Sequence, residues 1–156
     1  MIESNSRILV PLDGTDLSLR ALDRAKEEAL KSNSSLILLY VLDNTCFCPV
    51  GIKDFLSQIH DFDSSQQNYI NVLKKGVELM INEALRGINQ QGIEARFSIR
   101  IGVPADEILD VARSEKADVI IMGSSGSLKR LNERKGIGSV SRWVMELADC
   151  PVILIR

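Results

Sequence analysis

The stretch from residue 102 to residue 126, GVPADEILDVARSEKADVIIMGSSG, joins a helical pattern to a short apolar run that ends in glycine and serine. Pro104 suits the first position of a helix, and Asp106 and Glu107 fall in the first turn, where the helix dipole favours anions. The apolar run at residues 119–122 predicts a buried strand. Helix, strand and glycine-rich loop together predict one unit of an alternating α/β fold.

The same alternation extends over the rest of the chain. Apolar runs predict strands at residues 7–12, 36–42, 95–101 and 152–155, and helical spacing predicts helices at 15–31, 65–91 and 139–148. The run at 36–42 is apolar throughout, as in a strand covered on both faces, whereas 95–101 alternates and indicates an edge strand. The last helix is expected to bury its apolar side chains, namely Val140, Trp143, Val144 and Leu147.

This order of elements predicts a doubly wound α/β domain. Alternating strands and helices give a five-stranded parallel sheet with helices on both faces, for which we expect the strand order 3-2-1-4-5. No repeat or linker divides the chain, so residues 1–156 are expected to form a single domain. Residues 44–63 have no clear period, with a short helix expected at 55–59. Ligands of such folds bind beyond the carboxyl ends of the strands.

The composition argues against several classes of protein. Hydrophobic residues make up 45% of the 156 residues and the formal net charge is −2, so a full core is available and no basic surface for nucleic acid or membrane is indicated. The apolar runs are too short to span a bilayer, and the first residues lack an apolar signal segment. We therefore expect a cytoplasmic protein without nucleic-acid or membrane partners.

Three cysteines and one histidine raise the question of a metal site. Cys46 and Cys48 could join His60, but zinc sites normally separate their cysteines by two to four residues and add a second pair of ligands. An odd number of cysteines on a chain without a signal segment also argues against a disulfide framework. Reduced thiols and no resident metal are expected.

The glycine- and serine-rich segment after the predicted fourth strand has two interpretations. It fits neither the P-loop pattern nor the glycine fingerprint of dinucleotide-binding folds. Gly123 and Gly126 would let the backbone approach a ligand, and Gly138 and Ser139 open a helix whose first amides can bind phosphate. The hydroxyl of Ser141 would add a donor. The alternative is a solvated loop followed by a serine-capped helix.

Three stretches resemble the universal stress protein family, and together they cover essentially the whole chain. The opening ILVPLDGTDLSLRALDRA is similar to the family's first strand, aspartate and first helix. The stretch at 102–126 resembles the most recognisable segment of the family, and GSVSRWVMELADCPVILIR resembles its closing helix and strand. The resemblance implies the adenine nucleotide alpha hydrolase-like form of the doubly wound fold.

The nucleotide-binding branch of that family carries the pattern G-x2-G-x9-G-[ST] on this loop. Gly123 and Gly126 match the first two glycines, whereas Gly136, at the expected distance, is followed by isoleucine. Gly138 and Ser139 give the required ending after eleven residues and coincide with the start of the predicted helix. The resemblance therefore implies a phosphate loop lengthened by two residues, which costs little closure entropy.

The resemblance also implies further contacts with a nucleotide. Asp13 would accept hydrogen bonds from the ribose or adenine, while Pro11 and Val41 would line the adenine slot. Met122 would close the base side. Asp13 could instead belong to a plain turn, and Val41 and Met122 to the core. The implied ligand is ATP, with Mg²⁺ or Mn²⁺ as its counter-ion, and the full set of expected binding residues is Pro11, Asp13, Val41, Met122, Gly123, Gly126, Gly138, Ser139, Val140 and Ser141.

Three functions are compatible with these residues. The resemblance favours a stress-response protein that binds ATP and acts as a regulator or switch. A weak ATPase is the second, but hydrolysis needs a metal and a positioned base, and Asp13 is the only acid expected near the site, so slow turnover at most is expected. A nucleotide-free interaction module, as in the other branch of the family, is the third.

The last predicted strand, residues 152–155, is expected to mediate a homodimer. It is apolar on both faces, yet in the order 3-2-1-4-5 it lies at an edge, and soluble proteins cover or pair such edges. Pairing with the same strand of a second copy is self-complementary about a twofold axis, and the resemblance implies the same contact. The alternative is that the segment at 44–63 covers this edge.

Overall fold

The computed structural model describes residues 6–43, 62–125 and 136–156, which form a parallel sheet with helices on both faces. The described elements are β1 (Arg7–Leu12), α1 (Asp16–Ser32), β2 (Ser35–Asp43), α2 (Phe62–Gln90), β3 (Ala95–Gly102), α3 (Pro104–Ser114), β4 (Val119–Gly123), α4 (Ser139–Leu147) and β5 (Val152–Ile155). Outside the described residues lie the expected helix at 55–59, Cys46, Cys48, His60 and Gly126.

The strand order is β3-β2-β1-β4-β5, and all neighbouring strands are parallel, which confirms the predicted sheet. β1 lies at the centre. The chain winds away from it in one direction through β2 and β3, and in the other direction through β4 and β5. The direction of winding therefore reverses between β1 and β4, which is the switch point where sheets of this kind bind ligands.

Two apolar layers hold the helices to the sheet. The first packs α1 and α2 against one face, with Ala21, Ala25 and Ile88 meeting Val10 and Leu38. The second packs α3 and α4 against the other face and contains Leu9, Leu39, Ile108, Met122 and Val144. Because β1, β2 and β4 contribute alternate residues to both layers, these strands are covered on both faces, which explains their nearly continuous apolar runs.

The burial expected for α4 is only partly present. Val144 is fully buried, but Trp143 is 56% exposed and Leu147 is 48% exposed, so the prediction that these two side chains are buried was wrong. At about 100° per residue, they lie to one side of the row formed by Val140, Val144 and Ala148. The helix packs against α3 and β5, and only this narrow row meets the core.

None of the described helices is long and apolar enough to cross a membrane.

Candidate functional site

The carboxyl ends of β1 and β4 flank the switch point and carry several of the predicted residues. The two strands pair at Ile8 with Val119 and at Leu9 with Ile120. Beyond these pairs, Pro11 on β1 and the end of β4 lie on either side of the crevice where the winding direction reverses. The fold thus brings the residues that follow both strands to a single edge of the sheet.

An apolar wall faces this crevice on the side of α3 and α4. Met122 belongs to the core layer on that side, with 5% of its surface exposed, and Val41 is half-buried against the same layer. Pro11 lies two residues after Leu9, which is also in that layer, so its ring points to the same face. Pro11 and Val41, both half-buried, are therefore available as a surface for a flat apolar group, whereas Met122 is packed in the core, as in the alternative interpretation.

Asp13 is exposed and held in a turn that caps α1. Its Oδ1 accepts hydrogen bonds from the Thr15 amide at 3.0 Å and from the Thr15 hydroxyl at 2.6 Å. The Thr15 Oγ1 in turn accepts from the Ser18 amide at 3.2 Å and caps the helix. Gly14 has a φ of 80°, the left-handed conformation that this turn requires. The plain turn is thus present, and it fixes the carboxylate at the carboxyl edge.

Tyr40 is a neighbour of Asp13 that the sequence analysis did not single out. It pairs with Leu12, the last residue of β1, in the register between β1 and β2. Burial, and then the negative charge of Asp13, raise the pKa of the Tyr40 hydroxyl, so the phenol stays protonated at neutral pH and can donate a hydrogen bond. The sequence feature that could have pointed to Tyr40 is its hydroxyl group within the otherwise apolar run LILLYVL.

Two hydrogen bonds fasten the start of α4 to the end of β4. The Gly138 amide donates to the carbonyl of Ser124 at 2.7 Å, and the Ser141 hydroxyl donates to the carbonyl of Gly123 at 2.9 Å. The Ser124 amide donates to the Ile155 carbonyl at 2.8 Å, which ties the same corner to β5. The first turn of α4 therefore lies beside the carboxyl end of β4.

This first turn has the properties of an anion-binding helix start. The N-cap is Gly138, so the expected alternative of a serine-capped helix is not present, and no side chain caps the turn. The first turn contains no acidic residue. The amides of Ser139, Val140 and Ser141 consequently lack an N-cap side chain as a partner, at the end of the helix where the dipole is positive.

Gly123 and Ser141 have structural roles that the sequence did not reveal. A Cβ at position 123 would lie 3.0 Å from the Leu17 Cβ and 3.3 Å from the Ser18 amide nitrogen, so the packing of α1 explains the glycine. Ser141 is 3% exposed, and its hydroxyl hydrogen is given to Gly123. The hydroxyl was expected to donate to a phosphate, but in the structure it donates to the Gly123 carbonyl and so positions α4.

Residues 4–156 match the family model described as the universal stress protein family. The chain belongs to this family. It is 30% identical to a universal stress protein of Methanocaldococcus jannaschii over 150 residues, which are 96% of this chain and 81% of that protein. It is also 30% identical to the universal stress protein YxiE of Bacillus subtilis over 151 residues, which are 97% and 99% of the two chains.

Solved universal stress proteins share the fold. UspA from Lactobacillus plantarum has a TM-score of 0.80 and 23% identity, over 97% of this chain and 98% of that one. A universal stress protein in complex with cAMP has a TM-score of 0.65 and 23% identity, with 97% of each chain covered. The Archaeoglobus fulgidus protein in complex with dAMP has a TM-score of 0.59 and 24% identity, over 97% and 98%. Identities this low show the fold alone.

Proposed function

We propose that this universal stress protein binds an adenine nucleotide, ATP, at the carboxyl edge of its sheet and acts as a nucleotide-dependent regulator in the stress response. The observation that carries the proposal is the start of α4. Its first amides lack a side-chain cap, its first turn has no acid, and the Gly138 and Ser141 hydrogen bonds hold it at the switch point. Such a helix start suits the phosphates of a nucleotide.

The remaining proposed contacts lie at or just after the carboxyl ends of β1, β2 and β4. Pro11, Val41 and Met122 would contact the adenine ring, and the exposed carboxylate of Asp13 would accept hydrogen bonds from the ribose hydroxyls. No group of three or more metal-ligating side chains occurs in residues 6–43, 62–125 and 136–156. A Mg²⁺ or Mn²⁺ ion would therefore be held mainly by the phosphates and water.

The relatives with bound ligands support this choice of ligand class. One of them is in complex with cAMP and another with dAMP. Both ligands contain adenine and a phosphate group, which are the two parts that the crevice and the start of α4 would receive. An adenine nucleotide is the ligand class that these proteins share.

The test is to place a negative charge at the start of α4 without harming the helix. Aspartate is a favourable N-cap, so Gly138→Asp should preserve or raise stability while repelling the phosphates. We expect calorimetry to show ATP affinity reduced by a factor of about 10 or more, the size of a charge-assisted hydrogen bond. Val103→Asp is the matched control, because Val103 is the uncapped N-cap of α3 and gains the same charge. Equal affinity in all three proteins would contradict the proposal.

We also propose that efficient hydrolysis is absent. Asp13 is the acid that the sequence predicts near the phosphates, and its Oδ1 already accepts two hydrogen bonds from Thr15. This carboxylate is therefore poorly placed to activate water. Turnover of ATP should stay well below about 1 s⁻¹, the lower end of common enzyme rates.

We also propose that the protein forms a homodimer in which the β5 strands of two copies pair. Its proposed location is the cytoplasm. Ile153 on this edge strand is 40% exposed. The carbonyls of Pro151 and Ile155 accept hydrogen bonds from Ile120 and Ser124, so these odd-numbered residues face β4. Successive residues face alternate sides, so Val152 and Leu154 direct their backbone groups outwards, where a second β5 can pair.

The dimer can be tested by removing one outward amide. Leu154→Pro deletes the amide and should give monomers in light scattering at micromolar concentration, whereas Leu154→Ala keeps the amide and should remain dimeric. Proline at Ile153, by contrast, would break the ladder with β4. A monomeric mass for the unmodified chain would exclude this dimer.

A further inference from the structure

Gly102 ends β3, and the side chain of Glu107 occupies the place that a Cβ on this glycine would take. A Cβ added at Gly102 would lie 2.5 Å from the Glu107 Oε1 and 2.9 Å from its Cγ. The described glycines with a positive φ are Gly14 and Gly92, so the backbone conformation of Gly102 does not demand glycine. The close approach of Glu107 explains the glycine instead, and it seats a carboxylate on the carboxyl end of β3.

The register of the sheet places this carboxylate on the same face as the proposed adenine slot. β2 and β3 pair at Val41 with Arg100 and at Asp43 with Gly102. Residues two apart on a strand face the same side, and so do partners on neighbouring parallel strands. Val41 packs on the layer that contains α3, and Glu107 belongs to α3. The Cα atoms of Val41 and Gly102 are about 8 Å apart, from two residue rises and one strand spacing, so a base on Val41 can reach the carboxylate with its edge.

The Glu107 carboxylate has hydrogen-bonding capacity to spare. Within residues 6–43, 62–125 and 136–156, no hydrogen bond or ion pair engages its side chain. An ionised carboxylate accepts hydrogen bonds and donates none. Adenine presents an amino group, which is a donor, at the position where guanine presents a carbonyl, which is an acceptor. A carboxylate at the edge of the base therefore favours adenine over a purine that carries a carbonyl at this position.

The charges around Glu107 favour one orientation of a nucleotide. Asp43 ends β2, and Asp106 lies next to Glu107 in the first turn of α3, which gives three acidic side chains in this region. Arg100, two residues before the end of β3, adds one cation. The described side chains here are thus net negative, whereas the first turn of α4 contains no acid and is uncapped. Phosphates are repelled from the end of β3 and attracted to α4, and the amino edge of the base is attracted to Glu107.

We propose that Glu107 selects adenine by accepting a hydrogen bond from the exocyclic amino group of the base. This inference rests on the nucleotide site proposed above and adds the residue that distinguishes the base. The alternative is that Glu107 serves only to stabilise the start of α3 through the helix dipole, as Asp106 can. A purely structural carboxylate would not change the relative affinities for two bases, so base preference is the property that separates the two roles.

The test compares the affinities for ATP and inosine triphosphate by calorimetry, because inosine carries a carbonyl in place of the amino group. The unmodified protein should bind ATP more tightly. Glu107→Gln keeps the shape of the side chain and supplies an amide that can donate to the carbonyl. It should lower the ratio of the two affinities by about tenfold or more, the size of a hydrogen bond to a charged group. Asp106→Asn removes the same charge from the same helical turn and should leave the ratio unchanged.

A second variant moves the carboxylate without removing its charge. The methyl group of Gly102→Ala meets the end of the flexible Glu107 side chain, which can turn away, so this variant should fold and lose the same base preference. Gly102→Ala combined with Glu107→Gln should lose no more preference than Glu107→Gln alone, because both changes remove one contact.

The outcomes separate the role of Glu107 from the nucleotide site itself. A lower affinity ratio in Glu107→Gln and Gly102→Ala, with the ratio retained in Asp106→Asn, supports the proposal. ATP binding with an unchanged ratio in Glu107→Gln overturns the role of Glu107 and leaves the nucleotide site in place. An equal loss in Asp106→Asn also overturns it, because the effect then belongs to the charge of the helical turn. Absence of ATP binding by the unmodified protein overturns both proposals.

Discussion

α1 and α4 both begin at the carboxyl edge of the sheet, but only α1 caps its own first turn. Thr15 accepts a hydrogen bond from the Ser18 amide, and Asp13 holds Thr15 in place. At α4 the N-cap is Gly138, and no side chain caps the turn. The difference teaches that position in the fold does not make a helix start an anion site. The start must also be left without an internal partner.

Gly123 contacts the start of both helices: its carbonyl accepts from the Ser141 hydroxyl of α4, and its Cα lies close to Leu17 of α1. A substitution at this position should therefore have the largest effect on stability. Gly123→Ala places a Cβ 3.0 Å from the Leu17 Cβ and 3.1 Å from the Leu17 carbonyl carbon, and the backbone atom cannot easily move away. We expect the free energy of unfolding, measured with urea, to fall by about 1–3 kcal/mol. Gly76→Ala is the control, since nothing lies within 4 Å of its added Cβ. An equal response of both variants would show that α1 does not pack closely on β4.

Removing one hydroxyl at the start of α1 and one at the start of α4 should change stability by less than the Gly123 substitution, and by different amounts. Thr15→Ala deletes the cap of α1 and a hydrogen bond to Asp13, so the free energy of unfolding should fall by about 1 kcal/mol. Ser139→Ala at the start of α4 deletes a hydroxyl that is not the N-cap, and stability should stay within about 0.5 kcal/mol. Equal losses in urea denaturation would mean that α4 is capped as α1 is.

The smallest expected effect is a change in the pKa of Tyr40, which lies near Asp13 in the turn that caps α1. Its folded pKa is raised above 10.0, so Tyr40 adds stability below that pH, and this contribution is lost as the pH rises through the folded pKa. Asp13→Asn should lower the Tyr40 pKa, because the carboxylate charge is removed. Absorbance of tyrosinate during alkaline titration measures the change, with Tyr40→Phe to identify the signal. A Tyr40 pKa that is the same with and without the Asp13 charge would place the two side chains apart.

Most of the fold was accessible from the sequence because its signals are local and repeated. The alternation of apolar runs and helical faces located the start of α3 and both ends of the other eight described elements within three residues, as for β2, expected at 36–42 and found at Ser35–Asp43. The exposure of Trp143 and Leu147 was not accessible. The apolar pattern of a short helix gives the direction of its buried face but not how wide a surface the sheet offers.

The site was only partly accessible, because several of its contacts join distant residues. The hydroxyl of Ser141 and the carbonyl of Gly123 are 18 residues apart, and no local pattern connects them. The close approach of Leu17 to Gly123 depends on how α1 packs after the chain has folded. The glycine pattern and the positions at strand ends, in contrast, are short-range features, and they led directly to the start of α4.

The most direct measurement is the change in backbone amide chemical shifts when ATP is added to the labelled protein. If the uncapped start of α4 holds the phosphates, the amides of Ser139 and Val140 should shift strongly and saturably. The capped amide of Ser18 in α1 should shift little, because its hydrogen bond to Thr15 is retained. ATP binding that leaves the amides of Ser139 and Val140 unchanged would contradict the account.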